Sequence, residues 1–133
     1  MHDFEAFMAA CYDEAEALAK AATPGPWHVD LAAIAGPRHA ELVVDTTEGD
    51  VIVTGDGDMP ADGNVAYIAA CDPKHRLADV SLKRAILAEH CEYLRVCRCC
   101  QRVYPCATGR RLGTEFAGRD GYRDEWKPEG NCE

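Results

Sequence analysis

Nowhere in this 133-residue chain do about 20 apolar side chains follow one another, the run that a membrane-spanning helix requires. No membrane contact of that kind is expected. The first twenty residues, MHDFEAFMAACYDEAEALAK, lack the basic start of a secretory signal and are acidic instead, which points to a protein kept in a cytoplasm. Basic side chains are scarce throughout the first half: residues 1–70 hold only Lys20 and Arg38 against thirteen acids, a balance of −11. A surface of that sign repels nucleic acid. Also missing are internal repeats, low-complexity stretches, a phosphate-cradling glycine pattern with its lysine, and any Ser/His/Asp order or paired-carboxylate motif. These absences set aside P-loop and triad chemistry. The acidic loop GDGDMPADGN (55–64) lacks the pattern of a calcium site too, because Pro60 stands where an oxygen ligand belongs and no Glu closes the loop.

What is present is 47% hydrophobic and 28% charged residues, enough apolar material for a single domain over residues 1–133. Within it an acidic part, 1–70, would carry a helix and a β-hairpin, and the remainder, 71–133, a long helix and a cysteine cluster. Asp3 is placed to cap a helix in which Phe4, Phe7, Met8, Cys11, Ala15, Leu18 and Ala22 recur at helical spacing along one side. That helix stops at TPGPW (23–27), since Pro24 disfavours helix at Thr23, and Trp27 opens an extended segment, WHVDLAAI (27–34). Two β-branched runs, 41–45 and 51–54, flank a Gly-containing loop and predict a hairpin that joins the Trp27 strand in a small antiparallel sheet.

Further on, Asn64 is placed to cap a short helical stretch over 65–71. Asp72 followed by Pro73 starts a longer helix with Leu77, Val80, Leu87 and Leu94 in one stripe. Beyond Cys106, ATGRRLGTEFAG predicts a short helix weakened by two internal glycines, and the aromatics of YRDEWKP are expected to fold back onto the core. The expected class is α+β, with two main helices packed on a small antiparallel sheet and a zinc knuckle toward the C-terminus.

Eight cysteines are too sparse for a disulfide scaffold, and cytosolic thiols stay reduced, so a cluster of them points to metal or catalysis. Cys11, Cys71 and Cys132 stand apart and read as structural or incidental. Residues 89–106, EHCEYLRVCRCCQRVYPC, hold the other five together with His90. The spacing is His90-x6-Cys97-x2-Cys100-x5-Cys106. Two thiols two residues apart can grip one ion from a tight turn, and thiolate with imidazole is the donor set of tetrahedral Zn2+. Four protein ligands leave no position for an activated water, so one structural zinc ion is expected. Cys99 is an alternative partner in this count, and Cys91 competes with His90. A thioredoxin-like redox pair also uses C-x-x-C, but it belongs to a βαβ domain for which the chain has neither the strands nor the length. Around the cluster the charge reverses, with nine Lys/Arg against three acids in residues 74–111.

AATPGPW, NVAYIAACDP, KRAILAEH, the C-x2-C-x5-C run with YPC, and GYRDEW together resemble a family of small proteins from actinobacteria and their bacteriophages, a domain of unknown function. The likeness spans nearly the full chain, and the front half is also similar to a module of phage early-gene proteins. Relatives carry a leucine-rich helix after the last cysteine, where this chain reads ATGRRLGTEF. The resemblance implies that His90, Cys97, Cys100 and Cys106 match the family's metal-ligand-like positions, leaving Cys91 and Cys99 outside. It also implies a bacterial host cell, and it brings no activity with it.

Three functions are open on these residues. The favoured one is a zinc-stabilised, non-enzymatic, phage-related binding protein that engages a protein partner. A second is nucleic-acid binding, with Arg95, Arg98, Arg102, Arg110 and Arg111 on phosphates and Tyr93 or Tyr104 stacking on bases. The least supported is metal-dependent nucleotide or phosphoester hydrolysis by His28, Asp30, Asp56 and Asp58, whose spacing matches no recognised motif.

Overall fold

Apolar side chains at helical spacing bury one face of the first helix, α1 (Asp3–Ala21): Phe4, Met8, Cys11, Tyr12, Ala15 and Ala19 are all withdrawn from water. Leu18, expected on that stripe, lies one position off it and is exposed. The computed structural model describes residues 2–33, 40–46, 51–54 and 66–129. After α1 come β1 (Trp27–Ala33), β2 (Ala40–Thr46), β3 (Val51–Thr54), a helical turn over 66–70 and α2 (Pro73–Glu89). A short hairpin, β4 (Glu92–Tyr93) and β5 (Val96–Cys97), leads to α3 (Ala107–Gly113), followed by 3-10 turns at Thr114–Phe116 and Asp124–Trp126. The class is α+β. Residues 55–64, 47–50 and Asn64, where a solvated loop, a hairpin turn and a helix cap were expected, lie outside the described residues.

The chain divides into two compact units, Glu16–Ala78 and Met1–Ala15 with Asp79–Glu133. In the first, β1, β2 and β3 form an antiparallel sheet in sequence order, with Trp27 opposite Thr46, Leu31 opposite Leu42 and Val44 opposite Val53. The β2–β3 register shifts between Val44 and Asp45, an irregularity of the β-bulge kind. The start of α2 is fixed by Asp72, which is buried. One of its carboxylate oxygens accepts the Lys74 N–H at 2.6 Å, the N-cap bond expected of Asp before a first-turn proline. Its other oxygen accepts the Trp27 N–H at 2.6 Å, so one side chain ties the helix start to the start of β1. Gly25 is required beside it, because a Cβ there would stand 2.2 Å from the Asp72 carboxylate.

The second unit is built around aromatic rings. Phe4 meets Trp126 at 5.4 Å and Tyr104 at 6.1 Å between centroids, Phe7 meets Trp126 at 5.2 Å and Tyr122 at 5.9 Å, and Tyr12 meets Phe116 at 5.2 Å. These are largely edge-to-face contacts, the geometry ring quadrupoles favour. Tyr122 and Trp126 do fold back onto the core, and Trp126 is buried. The two glycines that weaken α3 in isolation have a packing role: a Cβ on Gly109 would come within 3.3 Å of the Phe4 ring, and one on Gly113 within 3.1 Å. Ion pairs surround this core, including Arg84 with Asp13 (2.7 Å), Lys83 with Glu115 (2.7 Å), Arg123 with Asp3 (2.6 Å) and Arg119 with Glu14. They are exposed to partly exposed and contribute little individually.

Three substitutions test this packing. Asp72→Ala removes both a cap and a charge-assisted hydrogen bond, and is expected to cost about 2–4 kcal/mol in denaturant unfolding. A loss under about 0.5 kcal/mol would show that the carboxylate is dispensable. Gly113→Ala is expected to lower stability by about 1 kcal/mol, because the clash with buried Phe4 outweighs the gain in helix propensity. Gly118→Ala, where nothing lies within 4 Å of a new Cβ, is expected to be neutral or stabilising by up to about 1 kcal/mol.

Candidate metal centre

Helix α2 ends at Glu89, and His90 still donates its N–H to Ile86 O at 3.1 Å, so the imidazole is carried on the last helical turn. The stripe expected to continue to Leu94 therefore breaks off. The chain reverses instead at Leu94 and Arg95, both in left-handed conformation (φ 52° and 66°), the two-residue hairpin turn whose twist matches paired strands. Tyr93 then pairs with Val96 and Glu92 with Cys97. Opposed residues share a face and neighbours alternate, so Cys97 faces inward, fully buried, while Tyr93 stays exposed.

A second reversal follows at once. Cys97 donates its N–H to Arg102 O (2.7 Å) and accepts from the Gln101 N–H at its own carbonyl (2.9 Å), closing the loop that carries Cys100. Gln101 takes a positive φ of 56° to make this turn. Val103 bridges to Val96, and the Tyr104–Pro105 pair brings Cys106 to the N-cap of α3.

These turns bring His90, Cys97, Cys100 and Cys106 together: one ligand atom from each lies within 4.8 Å of all the others. Cys97 Sγ is 3.4 Å from His90 Nδ1, and Cys106 Sγ is 3.5 Å from the same nitrogen. A tetrahedral ion with metal–sulfur bonds near 2.3 Å and a metal–nitrogen bond near 2.05 Å sets that edge at about 3.6 Å. The group could hold a metal ion. Cys97 and Cys106 are buried, His90 is half-buried and Cys100 is exposed. Cys91 and Cys99 do not join the group, and among the described residues no cysteine forms a disulfide.

The electrostatics suit a cation. Burial opposes ionisation of Cys97, but hydrogen bonding from the Cys100 and Cys99 backbone amides and from neighbouring thiols outweighs it, leaving this thiol below the usual range. Cys106 is pushed up, first by burial and then by the crowding of Cys97 and Cys100, against a lowering contribution from the Gly109 amide. The Gly109 N–H approaches that sulfur without closing a capping hydrogen bond. One anion is favoured in the group and further anions are penalised, a penalty that a divalent cation reverses.

The other candidates are dispersed. Cys11 is buried in the aromatic core, its thiol raised by that burial, and Cys71 is exposed. His28 and Asp30 lie on β1, opposite Asp45 and Val43, whereas Asp56, Asp58 and Cys132 lie outside the described residues. Tyr104 is buried against Phe4 and His2, which withdraws it from any stacking role. Arg110 is engaged by Pro105 O at 2.9 Å and Glu129 at 3.3 Å.

Residues 1–128 match a family described as a family of unknown function (DUF6221). The chain belongs to that family. No curated protein and no solved structure matches it. The DUF6221 match takes in all four residues of the donor group, and with them both turns that assemble it. No helix among the described residues of this DUF6221 chain is long and apolar enough to cross a membrane.

The hairpin turn generates a prediction of its own. Leu94 is 79% exposed and strained by its positive φ, so Leu94→Asn, which tolerates that conformation, is expected to raise stability by about 0.5–1 kcal/mol. Thermal unfolding of both proteins measures this, and a lowered midpoint would mean that the leucine side chain stabilises more than the turn geometry costs.

Proposed function

We propose that the protein is a small zinc-stapled, non-enzymatic binding protein, cytoplasmic and phage-related, that acts through contact with a macromolecular partner. The observation that carries this reading is the closed donor set of His90, Cys97, Cys100 and Cys106. A bound Zn2+ would supply cross-linking and charge neutralisation. With four protein donors it would keep no open position for a reacting water, the mark of a structural site. Soft thiolates beside an imidazole favour zinc over the oxygen-seeking cations. The phage-related origin is supported by the sequence resemblance.

Native mass spectrometry of the reduced protein, with and without a chelator, tests the reading. One zinc per chain is expected, lost on chelation together with protection of residues 90–106 against hydrogen exchange. His90→Ala and Cys106→Ser are each expected to lose the metal and to cost more than about 2 kcal/mol of stability, since metal binding at such sites is folding free energy. Cys99→Ser is expected to keep both. A metal-free chain that folds as well as the loaded one would end this reading.

A further inference from the structure

The β4–β5 hairpin has two faces, and only one of them meets the metal group. Pairing of Tyr93 with Val96 and of Val96 with Val103 sets these three side chains in a row on the face opposite Cys97. Tyr93 is 61% exposed and Val103 73% exposed, and Leu94 stands at the tip. Most rings of this unit are packed together in its core, so an aromatic left in water here is exceptional.

The charges in the hairpin and the loop after it also stand without carboxylate partners, as does Arg111 on α3 among the described residues. Lys83, Arg84, Arg110, Arg119, Arg123 and Lys127 each pair with a carboxylate. Arg95 in the turn, Arg98 after Cys97 and Arg102 before Val103 are exposed, and among the described residues their guanidinium groups pair with none. In a chain of net charge −9, three unpaired guanidinium groups within the hairpin and loop that carry an exposed tyrosine are charge left available for a partner.

We propose that this face binds single-stranded nucleic acid, with Arg95, Arg98 and Arg102 on consecutive phosphates and Tyr93 as the platform for one unstacked base. A nucleic-acid strand meets both halves of the surface at once: its phosphates match the guanidinium fork, and its bases stack on an exposed ring without needing a groove. A duplex fits less well, because its bases are already stacked and its second backbone adds negative charge against an acidic protein. The proposal rests on the zinc-stapled reading in one respect, namely that an ion on Cys97 and Cys100 would hold the hairpin and its following loop in place.

Fluorescence anisotropy with labelled oligo-dT and oligo-U of about 15 nucleotides tests it on the full chain, with zinc content measured by native mass spectrometry on the same samples. Binding is expected to weaken as salt rises with a log–log slope near −2, the value for about three single-strand phosphate contacts. Arg98→Ala is expected to reduce that slope by about 0.7. Tyr93→Ala is expected to weaken binding about tenfold while leaving the slope unchanged. Both variants should keep one zinc. Absence of binding at low salt, a slope near zero, or an unchanged affinity in Tyr93→Ala would overturn the proposal. So would equal competition by a polyglutamate peptide, which would assign the face to an acidic protein partner. In each of these cases a retained zinc ion leaves the zinc-stapled reading standing, and loss of zinc from the wild-type chain would instead remove that reading.

Discussion

Three sulfurs and one imidazole nitrogen converge within 4.8 Å of one another, and each arrives from a different piece of backbone. His90 comes from the end of α2, Cys97 from β5, Cys100 from the loop after it and Cys106 from the start of α3. Two-residue strands cannot sustain a hairpin by backbone pairing alone, and three non-glycine residues in left-handed conformation add strain on the order of 1 kcal/mol each. The segment needs a cross-link, and the donor group supplies the means for one. The same residues bind it to the core, since Cys97 and Cys106 are buried with Phe4, Tyr104 and Trp126.

The aromatic core depends on the N-terminal helix for its central ring. Phe4 is fully buried, packs edge-on against Trp126 and Tyr104, and lies where Gly109 and Gly113 let α3 approach. Glu5, its neighbour, accepts the Glu92 N–H at 2.8 Å at the first residue of the hairpin that carries Cys97. Residues from the first turn of the chain thus close the unit that carries the donor group, which makes α1 part of the site's scaffold. Tyr104 shows the same dependence electrostatically: burial first, and then the Glu5 carboxylate, hold its hydroxyl protonated well above the usual tyrosine range.

Much of this was legible in the sequence wherever a local signal and a tertiary contact agree. The strands β2 and β3 follow β-branched runs, Asp72-Pro73 does start α2, and the metal-ligand spacing names the four residues that the structure brings together. The failures are of one kind. Leu94 continues the α2 stripe by spacing, yet the chain turns before it, and Leu-Arg carries none of the Asn or Gly that ordinarily announces a two-residue turn. Propensity counts Gly109 and Gly113 against α3, because the ring they accommodate sits more than a hundred positions earlier in the chain. Cys91 and Cys99 have spacings as plausible as those of the assembled group, and only the folded backbone, which brings Cys97, Cys100 and Cys106 to His90, separates them.

That orientation also links the metal group to the surface. A strand segment of two residues has one side chain per face, so fixing Cys97 toward the core commits its neighbour Val96, and through pairing Tyr93 and Val103, to the outside. A one-residue slip of β5 against β4 would turn Cys97 to the outer face and withdraw its sulfur from the group. The exposed tyrosine and the inward thiol are therefore consequences of a single register. Since the end of α2 and the first turn of α1 hold the start of this hairpin, at His90 and Glu92, its exposed face inherits its geometry from the core.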